Sequence, residues 1–256
     1  CMGHQVLSVD QRGHGASALS AAGGPYDWNT LCADLLAVCR TAGWLGGSGG
    51  ERKPVVAGQS WGASVVLEFA RRHPEALEAA VLVDGGVGEL AEGFADWPSC
   101  EAALMPPVFA GTPIEAMRHR LRVEHPDWGD EGVEDTLANL KVLADGTVSS
   151  WLPREDHRRI LRLMWDHRPS MTYPAVQVPV LLVPAEPTGD SMPHGYGATG
   201  AIANRWLAMK REGVARAEKA IPNCATRWLA GDHDLHVQRP GAVAALIHQA
   251  AGGELP

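Results

Sequence analysis

Ser60 stands between two glycines, in Gly58-Gln59-Ser60-Trp61-Gly62. The β-branched run "PVVAG" precedes it and an apolar, helix-like run follows, which puts the hydroxyl on a tight strand-to-helix turn. Such a turn needs small residues two before and two after the serine, so that strand and helix can pack closely, and it presents a nucleophile at the strand end. The helix N-terminus beneath the hydroxyl would also favour a developing negative charge. The plainer possibility is a glycine-flanked serine that only caps a helix. A serine hydroxyl is a weak nucleophile and needs a base oriented by an acid. The base is expected late in the chain, where "WLAGDHDLHVQRP" offers His233 immediately after a strand and His236 three residues on. His233 is the expected base. Gln59, Trp61 and His236 are expected to border the substrate.

The elements that must carry these groups follow from periodicity. "QVLSVD" (5–10) is a strand candidate, ended by the turn-rich "QRGHGAS". "WNTLCADLLAVCRTAG" has Leu31, Leu35, Val38 and Ala42 at helical spacing, with Gly43 as a stop. The run after Ser60 is helical through His73, and "AAVLVD" (79–84) is a further strand. From 87 to about 172 no strand periodicity is evident. Three segments there, "PIEAMRHRLRVEH", "VEDTLANLKVLA" and "REDHRRILRLMWDH", read as amphipathic helices. Strand character returns in "VPVLLVPA" (178–185) and "ATRWLAG" (225–231), separated by a polar loop and a helix near 201–219. "PGAVAALIHQAAG" is a closing helix with Pro240 in its first turn. Strands alternating with helices predict an α/β fold, a mostly parallel sheet covered on both faces. The sheet domain is then 1–86 with 173–256, and 87–172 is an inserted helical lid.

Composition narrows the functional classes. The chain has 256 residues, 45% hydrophobic and 20% charged, enough for one large domain with a substantial core. Its formal charge of −8 and the lack of a dense Lys/Arg face argue against nucleic acid. No apolar run reaches the ~18 residues of a membrane helix. The five cysteines make no CxxC or Cys/His cluster, which suits idle thiols in a reducing cytoplasm. His119, His125 and His157 lie among helical charges and read as solvated rather than metal-binding. "GVGELA" (86–91) fits G-x-G-x-x-A, but no second strand ending in an acid follows it, so no dinucleotide is expected. The expected partner is a small-molecule substrate, without cofactor or metal; the oligomeric state stays open.

With the serine turn and the late histidine identified, the chain resembles the α/β-hydrolase superfamily, particularly its capped, lipase-like esterase and C–C hydrolase branch. "VLSVDQRGHGAS" is similar to the family's D-x-R-G-x-G-x-S turn through Asp10, Arg12, Gly13, Gly15 and Ser17. "GQSWG" is similar to its nucleophile turn, and "GDHDLHVQRP" to its histidine loop, with Pro240 seven residues after His233. The resemblance implies a serine hydrolase acting on a small or medium hydrophobic ester or related carbonyl compound. Related folds also serve non-hydrolytic enzymes and ligand receptors.

Two features depart from the family pattern. The resemblance places one oxyanion N–H on Trp61 and a second in a His-Gly loop well before Asp10, and this chain begins nine residues before Asp10. It therefore reads as a fragment lacking its first strands, with half an oxyanion hole, a loss worth about 10²–10³ in rate, or as an inactive piece. The acid is the second departure. Where the family has an aspartate after the "VPVLLVPA" strand, this chain has Thr188, with Glu186 and Asp190 nearby. Asp84, at the end of "VLVD", is the preferred acid, and Asp190 and Glu186 remain alternatives.

Overall fold

The computed structural model describes residues 3–17, 24–45, 53–187 and 200–253. The chain first forms α1 (Trp28–Thr41), β1 (Val55–Gln59), α2 (Trp61–Arg72) and β2 (Ala79–Val83). Next come α3 (Leu90–Gly93), α4 (Trp97–Leu104), β3 (Thr112–Pro113), α5 (Ile114–Glu124), α6 (Asp130–Ala138), β4 (Leu140–Val142), β5 (Thr147–Ser150), α7 (Arg154–Asp166) and α8 (Pro169–Thr172). The last part holds β6 (Val180–Val183), β7 (Ala185–Glu186), α9 (Gly200–Ala220), β8 (Cys224–Thr226), β9 (Leu229–Ala230), α10 (Leu235–Gln238) and α11 (Pro240–Ala251).

Four strands make a parallel sheet in the order β1-β2-β6-β8. The central strands read "AAVLV" and "VLLV" and are buried at every residue, as a sheet covered on both faces requires. Their side chains divide by period two. Ala80, Leu82, Val180 and Leu182 join one core with Val66, Phe69 and Leu77. Val81, Val83, Leu181 and Val183 face the other way, onto Val243 and Ala250 of α11. Beyond Pro184 and Trp228 the chain continues as the short parallel pair β7 and β9. That pair carries two sheet strands onward toward the site. Cys32, Cys39 and Cys100 are buried and unbridged, and Cys224 is half-buried.

Two expectations fail here. "QVLSVD" forms no strand: residues 4–10 lack regular structure and are exposed, with Val6 at 73%. Strand periodicity is not enough without a ladder partner, and among the described residues β1 is the sheet's edge. The segment 87–172 is also not purely helical, because β3, β5 and β4 build a small antiparallel sheet of their own. "VEDTLANLKVLA" stops being helical at Ala138, and its tail pairs across an Asp145-Gly146 turn. Gly146 has φ 79°, its N–H meets the Leu143 carbonyl, and Asp145 accepts the Thr147 N–H. This is a short hairpin loop with a left-handed glycine, a signal the helical reading passed over. The segment has its own apolar clusters, one around Leu90, Phe94, Cys100, Leu104 and Leu161 and another around Met117, Val133, Leu137 and Val148.

Close packing at the serine turn is uneven. A Cβ on Gly58 would lie 2.4 Å from the Gly62 carbonyl carbon and oxygen, so strand and helix backbones touch there. A Cβ on Gly62 would meet only the Gln11 amide nitrogen at 3.5 Å, an ordinary contact. The requirement for small residues on both sides of Ser60 therefore holds strictly only at 58. Gly58→Ala is expected to lower stability by at least about 2 kcal/mol through overpacking, about 4–8 °C in Tm for a chain of this size. Gly62→Ala should be neutral or mildly stabilising, since alanine is the better helix former. Thermal unfolding followed by circular dichroism compares the two variants, and equal melting temperatures would contradict this account.

Candidate active site

Ser60 follows β1 directly and begins α2 with φ 54° and ψ −118°. A non-glycine residue rarely adopts that backbone, which costs on the order of 1–3 kcal/mol and persists only where its surroundings hold it. Here the Ser60 N–H donates to the Val83 carbonyl at 3.0 Å, tying the turn to the end of β2. The next residue but one, Gly85, must be glycine, because a Cβ there would lie 2.3 Å from the Ser60 carbonyl oxygen. Between them Asp84 also adopts a left-handed backbone, with φ 41°. Two strained residues on neighbouring strands thus stand back to back at the carboxyl edge of the sheet.

His233 completes the group. Its loop leaves β9, where the Gly231 N–H donates to the Glu186 carbonyl at 3.0 Å, and Gln59 donates from its side-chain amide to the His233 carbonyl at 2.9 Å. The imidazole Nδ1 lies 2.8 Å from Asp84 Oδ2, and Nε2 lies 2.8 Å from Ser60 Oγ. With the ring neutral, Nδ1–H donates to the carboxylate and Nε2 accepts from the hydroxyl. The other carboxylate oxygen, Oδ1, accepts the Ala185 N–H at 2.8 Å and lies 2.6 Å from Lys210 Nζ. Burial works against the Asp84 charge, yet the His233 hydrogen bond and the Lys210 ammonium hold its pKa below the ordinary value. Burial likewise lowers the His233 pKa, but the hydrogen bond to Asp84 and the Asp84 and Asp234 charges carry it above the usual imidazole value.

A serine, an imidazole and a buried carboxylate in hydrogen-bonded sequence at the edge of a parallel sheet, after a strained strand-to-helix turn, narrow the family. A profile of the alpha/beta hydrolase family matches residues 2–246. The chain belongs to the alpha/beta hydrolase family. Among solved structures, E-2-(acetamidomethylene)succinate hydrolase superposes with a TM-score of 0.68 at 18% identity, covering 94% of this chain and 79% of that one. An esterase of M. tuberculosis gives 0.63 at 17% identity, covering 98% and 78%. Likeness at these identities is likeness of fold. A curated relative, Protein ABHD8 of Homo sapiens, is 23% identical over 119 residues, 45% of this chain and only 26% of the relative's length.

Several other residues take places the sequence left open. In this alpha/beta hydrolase the D-x-R-G-x-G-x-S segment is scaffolding. Asp10 accepts the Ala16 N–H, and Arg12 forks onto Asp34 at 2.6 and 2.8 Å. Glu186, an alternative acid, is about half exposed and pairs with Arg211 instead of His233. Asp190 lies outside the described residues. Trp61 begins α2, where the first N–H groups have no intrahelical partner. Its indole lies tilted against Trp28, with ring centroids 5.4 Å apart, and Trp61 borders the cavity beside Ser60.

Gln59 and His236 do not border that cavity. Gln59 is committed to the histidine loop, and His236 sits exposed on α10. Two of the three helical histidines depart from the solvated reading. His119 is exposed, but His125 is buried in a stack on Trp128 at 3.8 Å. His157 borders the cavity, on the inward side of α7. Gly85 and Lys210 went unremarked in the sequence. Nothing marks Lys210 among the charges of "MKREGVARAEK".

The geometry separates Asp84 from Glu186 energetically. Asp84→Asn leaves the Lys210 ammonium without its buried counter-charge and should cost about 3 kcal/mol. Glu186→Gln removes an exposed pair and should cost less than about 1 kcal/mol. Urea unfolding of both variants measures the difference; a larger loss from Glu186→Gln would overturn the assignment.

Proposed function

We propose that the protein is a serine hydrolase of small or medium apolar esters, with Ser60, His233 and Asp84 as its triad. The observation that carries this reading is the pair of 2.8 Å contacts from one imidazole, to Ser60 Oγ and to Asp84 Oδ2. Ser60 Oγ attacks the carbonyl carbon while its proton passes to His233 Nε2, and the carbonyl electrons move onto oxygen. The Trp61 N–H donates to that oxyanion at the start of α2. Collapse expels the alcohol, which takes the proton from Nε2. Water then repeats the sequence on the acyl-enzyme, returning the free acid and the Ser60 hydroxyl. Asp84 fixes the tautomer and steadies the imidazolium.

The substrate class rests on the cavity above the serine. Its volume of about 270 Å³ is near the lower end of ligand sites, about 300–1,000 Å³. Leu104, Leu152, Ile160, Leu161 and Met164, all from 87–172, supply much of its wall, and we read that segment as the cap. Besides the triad, its polar side chains include His14, Ser64, His157, Lys210 and Asp232. Burial, with the facing His14 and Arg154, pushes the His157 pKa down to about 4, so that ring is uncharged at neutral pH. The side of the cavity built by Leu104, Leu152, Ile160, Leu161 and Met164, with the uncharged His157 among them, favours an acyl group without charge.

Treatment with a fluorophosphonate followed by peptide mass spectrometry is expected to place the adduct on Ser60, and Ser60→Ala to abolish labelling. Modification of a different serine in folded protein would sink the reading. Among p-nitrophenyl esters, uncharged short and medium acyl chains should turn over faster than ω-carboxylated ones. Asp84→Asn should lower that turnover by about 10⁴.

A further inference from the structure

Lys210 enters the site from α9, on the side of Asp84 opposite His233. The helix comes this close because Gly213, one turn on, presses against the backbone after β2. A Cβ on Gly213 would lie 2.1 Å from the Val87 carbonyl oxygen. Met209 packs toward Gly88 and Gly93, and Val214 and Ala217 enter the sheet core, so this face of α9 is fixed against the sheet. Lys210 therefore has little choice of direction. Its Nζ lies 2.6 Å from Asp84 Oδ1 and donates to the Ala185 carbonyl at 3.0 Å, and its side chain is 17% exposed.

We propose that Lys210 is a positioning residue that extends the triad by one member, clamping Asp84 against His233 and offsetting the carboxylate charge that the imidazole meets. The inference rests on the triad reading above. Each Asp84 oxygen has its own donors: Ala185 N–H and Lys210 on Oδ1, His233 on Oδ2. The ring of His233 meets Asp84 at the end of β2 and Ser60 at the start of α2, and it feels the charges of Lys210 on α9, His236 on α10 and Asp234 on its own loop. The Asp84 and Asp234 carboxylates raise the pH at which the ring gives up its proton, and a protonated ring cannot accept the serine proton. The ammonium pulls the other way, so the ring is free to act as a base at lower pH. Lys210 also borders the cavity, but its ammonium is engaged by Asp84 Oδ1 and the Ala185 carbonyl, so it acts on the ring through the carboxylate.

The test follows the His233 ring by ¹⁵N NMR titration and, in parallel, the pH dependence of fluorophosphonate labelling. Both are run on the whole chain as wild type, Lys210→Met, Lys210→Gln and Lys210→Arg. With the charge removed (Met, Gln), the His233 titration and the acid limb of labelling should move to higher pH. Labelling on the acid side should then fall about tenfold relative to the alkaline plateau, the effect of one nearby charge. Lys210→Arg should keep the acid limb near its wild-type position, whatever its plateau rate. Uncharged variants that titrate like wild type, or an arginine variant that shifts as methionine does, would overturn the proposal, as would failure of both uncharged variants to fold. Wild-type protein that never labels at Ser60 would count against the triad reading alone, because the ring titration still reports on Lys210.

Discussion

A carboxylate with a 2% exposed side chain cannot rely on water, and this constraint at Asp84 organises the site. Its charge must be met by the protein, and the groups that meet it come from widely separated parts of the chain. The Ala185 N–H follows β6, Lys210 comes from α9, and His233 comes from the loop after β9. Each can reach Asp84 because β2 is a central strand with β6 beside it, which puts the strand end where several connections converge. The ammonium and the imidazole offset a desolvation that would otherwise neutralise the acid. The same convergence brings in Ser60, whose N–H is tied to the last residue of β2.

The backbone records what this arrangement costs. Ser60 and Asp84 both have positive φ, and neither is glycine. Such strain persists only where surrounding contacts over-determine it. Here the elbow and the β2 end brace one another, through the Ser60–Val83 hydrogen bond and the close approach of Gly85 to Ser60. Neither turn would hold its shape without the other.

Much of this was legible in the sequence because it follows short-range rules. The glycines around Ser60, the β-branched run before it and the His233 loop each declare a local conformation. The alternation of strands and helices gives the covered parallel sheet. Asp84 was legible as a strand-end acid and preferred on that ground, but Glu186 stayed open beside it, because the difference lies in which side chain faces the histidine loop. What the sequence hid depends on distant neighbours. "QVLSVD" has strand chemistry without a ladder partner among the described residues, and the Asp145-Gly146 hairpin was masked by a run of good helix formers. Lys210 looks like any helical surface cation until Gly213 brings α9 against Val87. Gly85 gains its meaning only from the Ser60 carbonyl, which reaches it across two strands.

The cavity has one further consequence, for how the protein could diverge. In the proposed hydrolase a carbonyl meets Ser60, backed by His233 and Asp84 on the sheet edge, whereas side chains between 90 and 164 line much of the rest of the cavity. A trade of volume at Leu104, Ile160 or Met164 changes what fits without touching any hydrogen bond among the three. Selectivity and reactivity are thus written in separate stretches of chain, so drift in one need not erode the other.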